Sequence, residues 1–111
     1  MPPASGPVLP GTLEFLILRA LGTGERHGVG IARRIEQVTK GTFAVKAGSL
    51  FPALHRMERA GWLTSVWDES ENHRRARFYR LTATGRRQLQ VESARWRRVV
   101  DALAGALRAS S

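Results

Sequence analysis

The sequence has no cysteine, only two lysines, and a single proline beyond residue 10. Without cysteine there is no disulfide framework, no thiolate zinc site and no cysteine nucleophile. Long apolar runs are also missing: the longest span a few residues, far below the ~20 needed to cross a bilayer. The start, Met1-Pro2-Pro3-Ala4-Ser5-Gly6-Pro7, lacks the basic segment before an apolar stretch that a secretion signal requires. A cytoplasmic protein with no membrane partner is expected. Acidic residues are scarce, 9 against 18 basic ones, for a formal charge of +9. Lys40 and Lys46 are the only lysines, so 16 of the 18 basic residues are arginines. Guanidinium forks pair bidentately with phosphate oxygens and guanine edges, so an arginine-dominated excess points to a polyanion, with nucleic acid first.

What is present suits one small globular domain. The 111 residues match the ~100–150 of a typical domain and exclude a multidomain enzyme. Four of the five prolines fall in residues 1 to 10, which reads as a short flexible arm. From Thr12, taken as an N-cap, Leu13, Leu16, Ile17, Ala20 and Leu21 share one helical face. Gly22-Thr23-Gly24 breaks that helix. A second runs from about His27 to Thr39, with Ile31, Ile35 and Val38 at helical spacing and Gly41 beyond its end. Thr42 to Val45 is short and β-branched and is expected as a small strand.

A third helix is expected from an N-cap at Ser49, with Pro52 in its first turn and Leu50, Leu54 and Met57 as its inward seam. Gly61 suits the left-handed position past its end, with Trp62 packing back on the last turn. Leu63 to Trp67 and Ala76 to Leu81 read as strands of a hairpin joined by the polar stretch Asp68 to Arg75. From Thr82 to about Arg108 no proline intervenes. Leu89, Ser93, Trp96, Val100, Leu103 and Leu107 follow one another at gaps of 4, 3, 4, 3 and 4, a heptad seam. At 1.5 Å per residue this helix spans roughly 40 Å, longer than the rest of so small a domain, so its seam needs a partner. Homodimerisation through Leu89, Trp96, Val100, Leu103 and Leu107, with Leu13, Leu16 and Ile17 of the first helix, is the expectation.

The fold class that follows is mostly α with a small β-hairpin: a winged helix-turn-helix over residues 11–82 and a long C-terminal dimerisation helix over 83–108. In such folds the third helix enters the major groove and the hairpin flanks it. Ser49, Ala53, Arg56 and Arg59 lie off the apolar seam of the third helix. The N-terminal half of a recognition helix points into the groove, which makes Arg56 the expected base reader, Ser49 and Phe51 phosphate-side positioners, and Pro52, His55 and Arg59 further contacts. His55 or Arg59 would replace Arg56 after a modest rotation. Around the hairpin tip, Arg74, Arg75, Arg77 and Arg80 put four arginines in seven residues, and Arg74, Arg75 and Arg77 are expected to touch DNA, the first two in a narrow minor groove. The alternative is that Arg74 and Arg75 pair with Asp68, Glu69 and Glu71 across the loop. Both can hold in turn.

No catalytic constellation is found. His27, His55 and His73 fall in different elements without metal-ligand spacing. Asp68-x-Ser70-x-Asn72 resembles the start of a calcium loop, but His73 stands where that loop needs glycine and Tyr79 where it needs glutamate. Gly22-x-Gly24 and Gly28-x-Gly30 do not follow a buried strand, and Ser49 has no nucleophile-elbow glycines. Neither an enzyme nor a cofactor is expected.

The strings Gly11-Thr12-Leu13-Glu14, His27-Gly28-Val29-Gly30-Ile31-Ala32, Gly48-Ser49-Leu50-Phe51-Pro52-Ala53-Leu54-His55-Arg56-Met57-Glu58 and Phe78-Tyr79-Arg80-Leu81-Thr82-Ala83-Thr84-Gly85 occur in the order found in the PadR family of transcriptional regulators. The chain closely resembles that family over roughly residues 11 to 108. The resemblance implies a winged-helix repressor binding operator DNA as a homodimer through its last helix. The single C-terminal helix resembles the small subfamily and not the members with a larger C-terminal effector domain, which argues against phenolic-acid sensing. A small-molecule effector at the dimer interface is kept as a further partner to consider. Many relatives carry tyrosine where this chain has Phe51 and an aromatic where it has Val29, so no phenol can reach a phosphate from position 51. A basic RNA- or protein-binding winged-helix module without operator specificity is the alternative.

Overall fold

The apolar stripes of three short helices meet in one core, and a hairpin closes it from the side. A computed structural model describes residues 10–109. The proline-rich arm expected over residues 1 to 10 lies, except for Pro10, outside the described residues. The elements are α1 (Thr12–Leu21), β1 (Arg26–His27), α2 (Gly28–Val38), α3 (Ala47–Arg59), β2 (Leu63–Glu69), β3 (Arg75–Leu81) and α4 (Ala83–Arg108). The protein is mostly helical with a small antiparallel sheet, as expected, and its fold is a winged helix-turn-helix with a long last helix.

Ile17, Leu18 and Leu21 of α1, Ile31 and Ile35 of α2, and Leu54 and Met57 of α3 are completely or almost completely buried together. Leu63, Tyr79 and Leu81 of the hairpin complete the same cluster. Burying each large aliphatic side chain contributes roughly 1.5–3 kcal/mol. The core therefore holds α3 rigidly and leaves its opposite face free.

Several local expectations are corrected. Thr12 is the first residue of α1, and the N-cap is Gly11 in the left-handed region. Ser49 does not cap α3: the helix starts at Ala47 with Lys46 at the N-cap, and the Ser49 N–H donates to the Lys46 carbonyl at 3.0 Å. Thr42 to Val45 forms no strand. Phe43 and Val45 instead pack individually against the core from an irregular connection. The third strand is β1, two residues before α2, paired antiparallel with β3 so that Arg26 faces Tyr79 and His27 faces Phe78. The sheet order is β1-β3-β2.

The stop of α3 follows the expected pattern. Gly61 has φ 84°, its N–H donates to the Glu58 carbonyl, and the Trp62 N–H donates to the Met57 carbonyl, the pair of bonds of a Schellman motif. The turn into α4 sits directly on this stop. Thr82 accepts from the Gly85 N–H and donates its hydroxyl to the Gly61 carbonyl at 2.6 Å. A Cβ at Gly85 would run into the Trp62 carbonyl, so glycine lets the start of α4 lie against the end of α3.

α4 packs on α1 and β3. Leu89 is partly buried against the core, and Trp96 stacks on Phe15 of α1 with ring centroids 5.8 Å apart. Beyond that the helix stands clear: Val100, Leu103 and Leu107 are 59%, 56% and 87% exposed. The molecule measures 55 Å along its longest axis.

Candidate nucleic-acid interface

The buried seam of α3 consists of Leu50, Ala53, Leu54 and Met57. Its opposite face therefore carries Pro52, His55 and Arg59, three exposed residues at spacings of three and four. Arg56, expected from sequence to be the base reader, is turned aside. Its Nη2 donates to Glu14 Oε2 of α1 at 2.8 Å, which fixes the guanidinium at the flank of the helix. Ser49 is half-buried in the first turn. Phe51 lies on the other flank, half-exposed, with its ring against Gly28, where an added Cβ would come within 2.7 Å of Cζ.

The hairpin strands run two residues further toward the tip on β2 and one further on β3 than sequence suggests, and pair in register from Leu63↔Leu81 to Glu69↔Arg75. The tip is tight: the Ser70 N–H donates to the Arg74 carbonyl, the His73 N–H donates to the Ser70 carbonyl, and His73 takes φ 58°. This is a type I turn followed by one left-handed residue, a common three-residue hairpin loop. The loop acids are engaged elsewhere. Glu69 meets His73 Nδ1 at 2.9 Å, and Glu71 lies 3.8 Å from Arg33 of α2. Among the described residues neither Arg74 nor Arg75 has a carboxylate at ion-pair distance. The alternative cross-loop pairing is therefore not formed.

Arg75 and Arg77 both stand over the Trp67 ring, 5.2 and 5.6 Å from its centroid. Exposed contacts of this kind contribute about 0.5–1 kcal/mol each and hold the guanidinium groups extended. Arg77 Nε also donates to Ser65 Oγ at 2.9 Å, and Ser65 Oγ donates to Glu58 Oε2 at 2.7 Å. That relay ties the hairpin to α3, so the wing and the helix keep a defined spacing. Tyr79 forms the buried floor between them. Burial pushes its phenol above its ordinary value of 10.0, with Arg77 opposing the shift and Glu58 adding to it.

α2, α3 and the hairpin together line one open groove of about 380 Å³. Two of its walls, Val29 and Trp67, give no sign in the sequence of being exposed. Val29 sits in the first turn of α2 and Trp67 mid-strand, where each reads as an ordinary apolar position until its exposure of 60% or 56% is known. Lys46, at the start of α3, is exposed as well.

The residues expected at a dimer interface divide into two groups. Ile17 is fully buried and Leu13 is 8% exposed within this chain's own core, so neither has surface left to offer a second copy. Leu16 and Leu89 pack at the margin of that core. Trp96, Val100, Leu103 and Leu107 remain along one side of α4. Phe15, Trp96 and Val100 also line a recess of about 270 Å³ between α1 and α4. Among the described residues no three metal-ligating side chains come together, and no helix is long and apolar enough to cross a membrane.

The family model of the PadR-like transcriptional regulators matches residues 17–91. A PadR-like transcriptional regulator from Bacillus cereus is 25% identical, with a TM-score of 0.77 over 90% of this chain and 95% of that one. A PadR family transcription regulator from Clostridium difficile is 27% identical, with a TM-score of 0.73 over 87% of this chain and 99% of that one. An uncharacterized protein of Lysinibacillus sphaericus is 23% identical over 94 residues, 85% of this chain and 86% of that protein.

Proposed function

The chain belongs to the PadR-like family of transcriptional regulators, and on that premise we propose that it is a cytoplasmic, homodimeric repressor of a pseudo-palindromic operator in double-stranded DNA. The observation that carries this reading is the junction of α3 and the wing. An exposed face with His55 and Arg59 adjoins a hairpin whose Arg74 and Arg75 lack carboxylate partners among the described residues. His55 and Arg59 take the base-reading role in place of Arg56, because arginine can bridge O6 and N7 of guanine only if its fork is free. Arg74 and Arg75 meet the phosphate backbone or the minor groove. The exposed stripe Val100, Leu103 and Leu107 supplies the dimer contact, as an apolar helix face of this length needs a partner.

Selection of duplexes from a random library, with random RNA in parallel, tests the proposal. Enrichment of an inverted-repeat duplex over random DNA and RNA is the expected result. Equal retention of RNA and unselected DNA would replace it with the non-specific basic module.

A further inference from the structure

The groove between α2, α3 and the wing is out of character with the surface around it. Val29, Phe51 and Trp67 are 60%, 48% and 56% exposed and rim the same recess. Among the described residues no carboxylate lines it. The ionisable groups facing it are few: Arg77 at the rim, the buried Tyr79, and His27, whose Nδ1 is already occupied by the Gly30 N–H at 3.1 Å. Arg75 leans over the same Trp67 ring from the wing. An apolar slot bordered by cations complements a polyanion that also displays an aliphatic group.

Phe51 is held in place for such contact. Its ring rests on Gly28, where any side chain would displace it. It lies in the N-terminal half of α3, one residue before Pro52 of the outward face. A side chain there meets the major-groove edge of a duplex, and the C5 methyl of thymine is the aliphatic group that the four natural bases present on that edge. Hydrogen bonding cannot explain the choice of side chains, since neither Val29 nor Phe51 carries a donor.

We propose that Phe51, with Val29 beside it, reads a thymine C5 methyl in each half-site, while Trp67 holds Arg75 and Arg77 over the neighbouring phosphates. The inference rests on the duplex-DNA reading above and goes further, in naming a base and the atom on it that is recognised.

The test uses the selected duplex with each symmetric thymine pair replaced in turn by deoxyuridine, which removes only the methyl, and by 5-bromodeoxyuridine, which restores its bulk. At one symmetric pair, deoxyuridine should weaken the full-length protein about fourfold per half-site, the value of one buried methyl, hence roughly fifteenfold for the dimer. 5-Bromodeoxyuridine should recover most of that loss. Phe51→Ala should bind thymine and deoxyuridine at that pair about equally, whereas Phe51→Leu keeps a preference. Val29→Ala, at a more exposed position, should reduce the preference without disturbing the fold, as checked by circular dichroism. Equal binding of thymine and deoxyuridine duplexes by the wild type at every pair overturns the inference, as does a preference that survives Phe51→Ala. Both results leave duplex recognition standing. Failure to select any duplex ends the DNA reading and this inference with it.

Discussion

Glu14 in the first turn of α1 holds Arg56 of α3 across 42 residues of sequence, Oε2 to Nη2 at 2.8 Å. The pair is partly solvent-exposed, so it contributes only about 0.2–1 kcal/mol. Its larger effect is directional, because it withdraws one of the two arginines of α3 from the outward face.

Arg56→Ala should consequently leave the preferred DNA site unchanged and lower stability by about 0.2–1 kcal/mol. Arg59→Ala or His55→Ala should relax the choice at one symmetric pair of positions by about 1–3 kcal/mol of discrimination. Selected-site sequencing of the three variants at equal salt checks this. Loss of preference in Arg56→Ala alone would return the reading role to that residue.

The α4 stripe and the α1 core residues should respond differently to substitution. Val100→Asp with Leu103→Asp should convert a dimer to a folded monomer, measured by sedimentation, because both side chains are exposed in the single chain. Ile17→Ala should cost about 2–5 kcal/mol of folding stability in either state, because it opens a cavity in the core. A wild type that is monomeric at micromolar concentration removes the interface.

Helices are legible in the sequence wherever apolar residues repeat with the period of one face, and so are the stop at Gly61 and the hairpin with its arginine-rich tip. What escapes depends on distant partners. β1 is two polar residues that become a strand only because the free edge of β3 lies beside them. Thr42 to Val45 has the composition of a strand but no sheet edge to join. The direction of Arg56 is set by Glu14, and the exposure of Val29 and Trp67 by how α2 and the wing frame α3. The seam of α4 is one face, as its spacing predicts, but half of it packs on α1 through Phe15 and Trp96.

Binding to DNA should weaken steeply with salt, with a log–log slope of about −0.9 per phosphate neutralised. Replacing Arg74 and Arg75 by alanine should flatten the slope by about 0.9 for each phosphate no longer neutralised, equally on specific and random duplexes. An unchanged slope would place the wing tip away from the backbone.

Tyr79 is the single tyrosine of the chain, so tyrosinate absorbance reports it alone. Its folded pKa is raised by burial, while in the unfolded chain it returns to about 10. The stability this contributes is complete below about pH 10 and is lost as pH rises through the higher folded value, because the unfolded chain gives up its proton first. The absorbance midpoint of the native protein should lie above that of the denatured protein, and Arg77→Ala should raise it further. A native midpoint at or below the denatured one contradicts the buried placement of the ring.

Two copies of this chain should present two recognition helices to one face of a duplex, and hydroxyl-radical footprinting on the selected duplex measures that arrangement directly. Two symmetric protected patches are expected, their centres about one helical turn, roughly 34–36 Å, apart, and both should vanish together in Val100→Asp with Leu103→Asp. A single unsymmetric patch, or a symmetric footprint that survives disruption of α4, would contradict the two-fold arrangement.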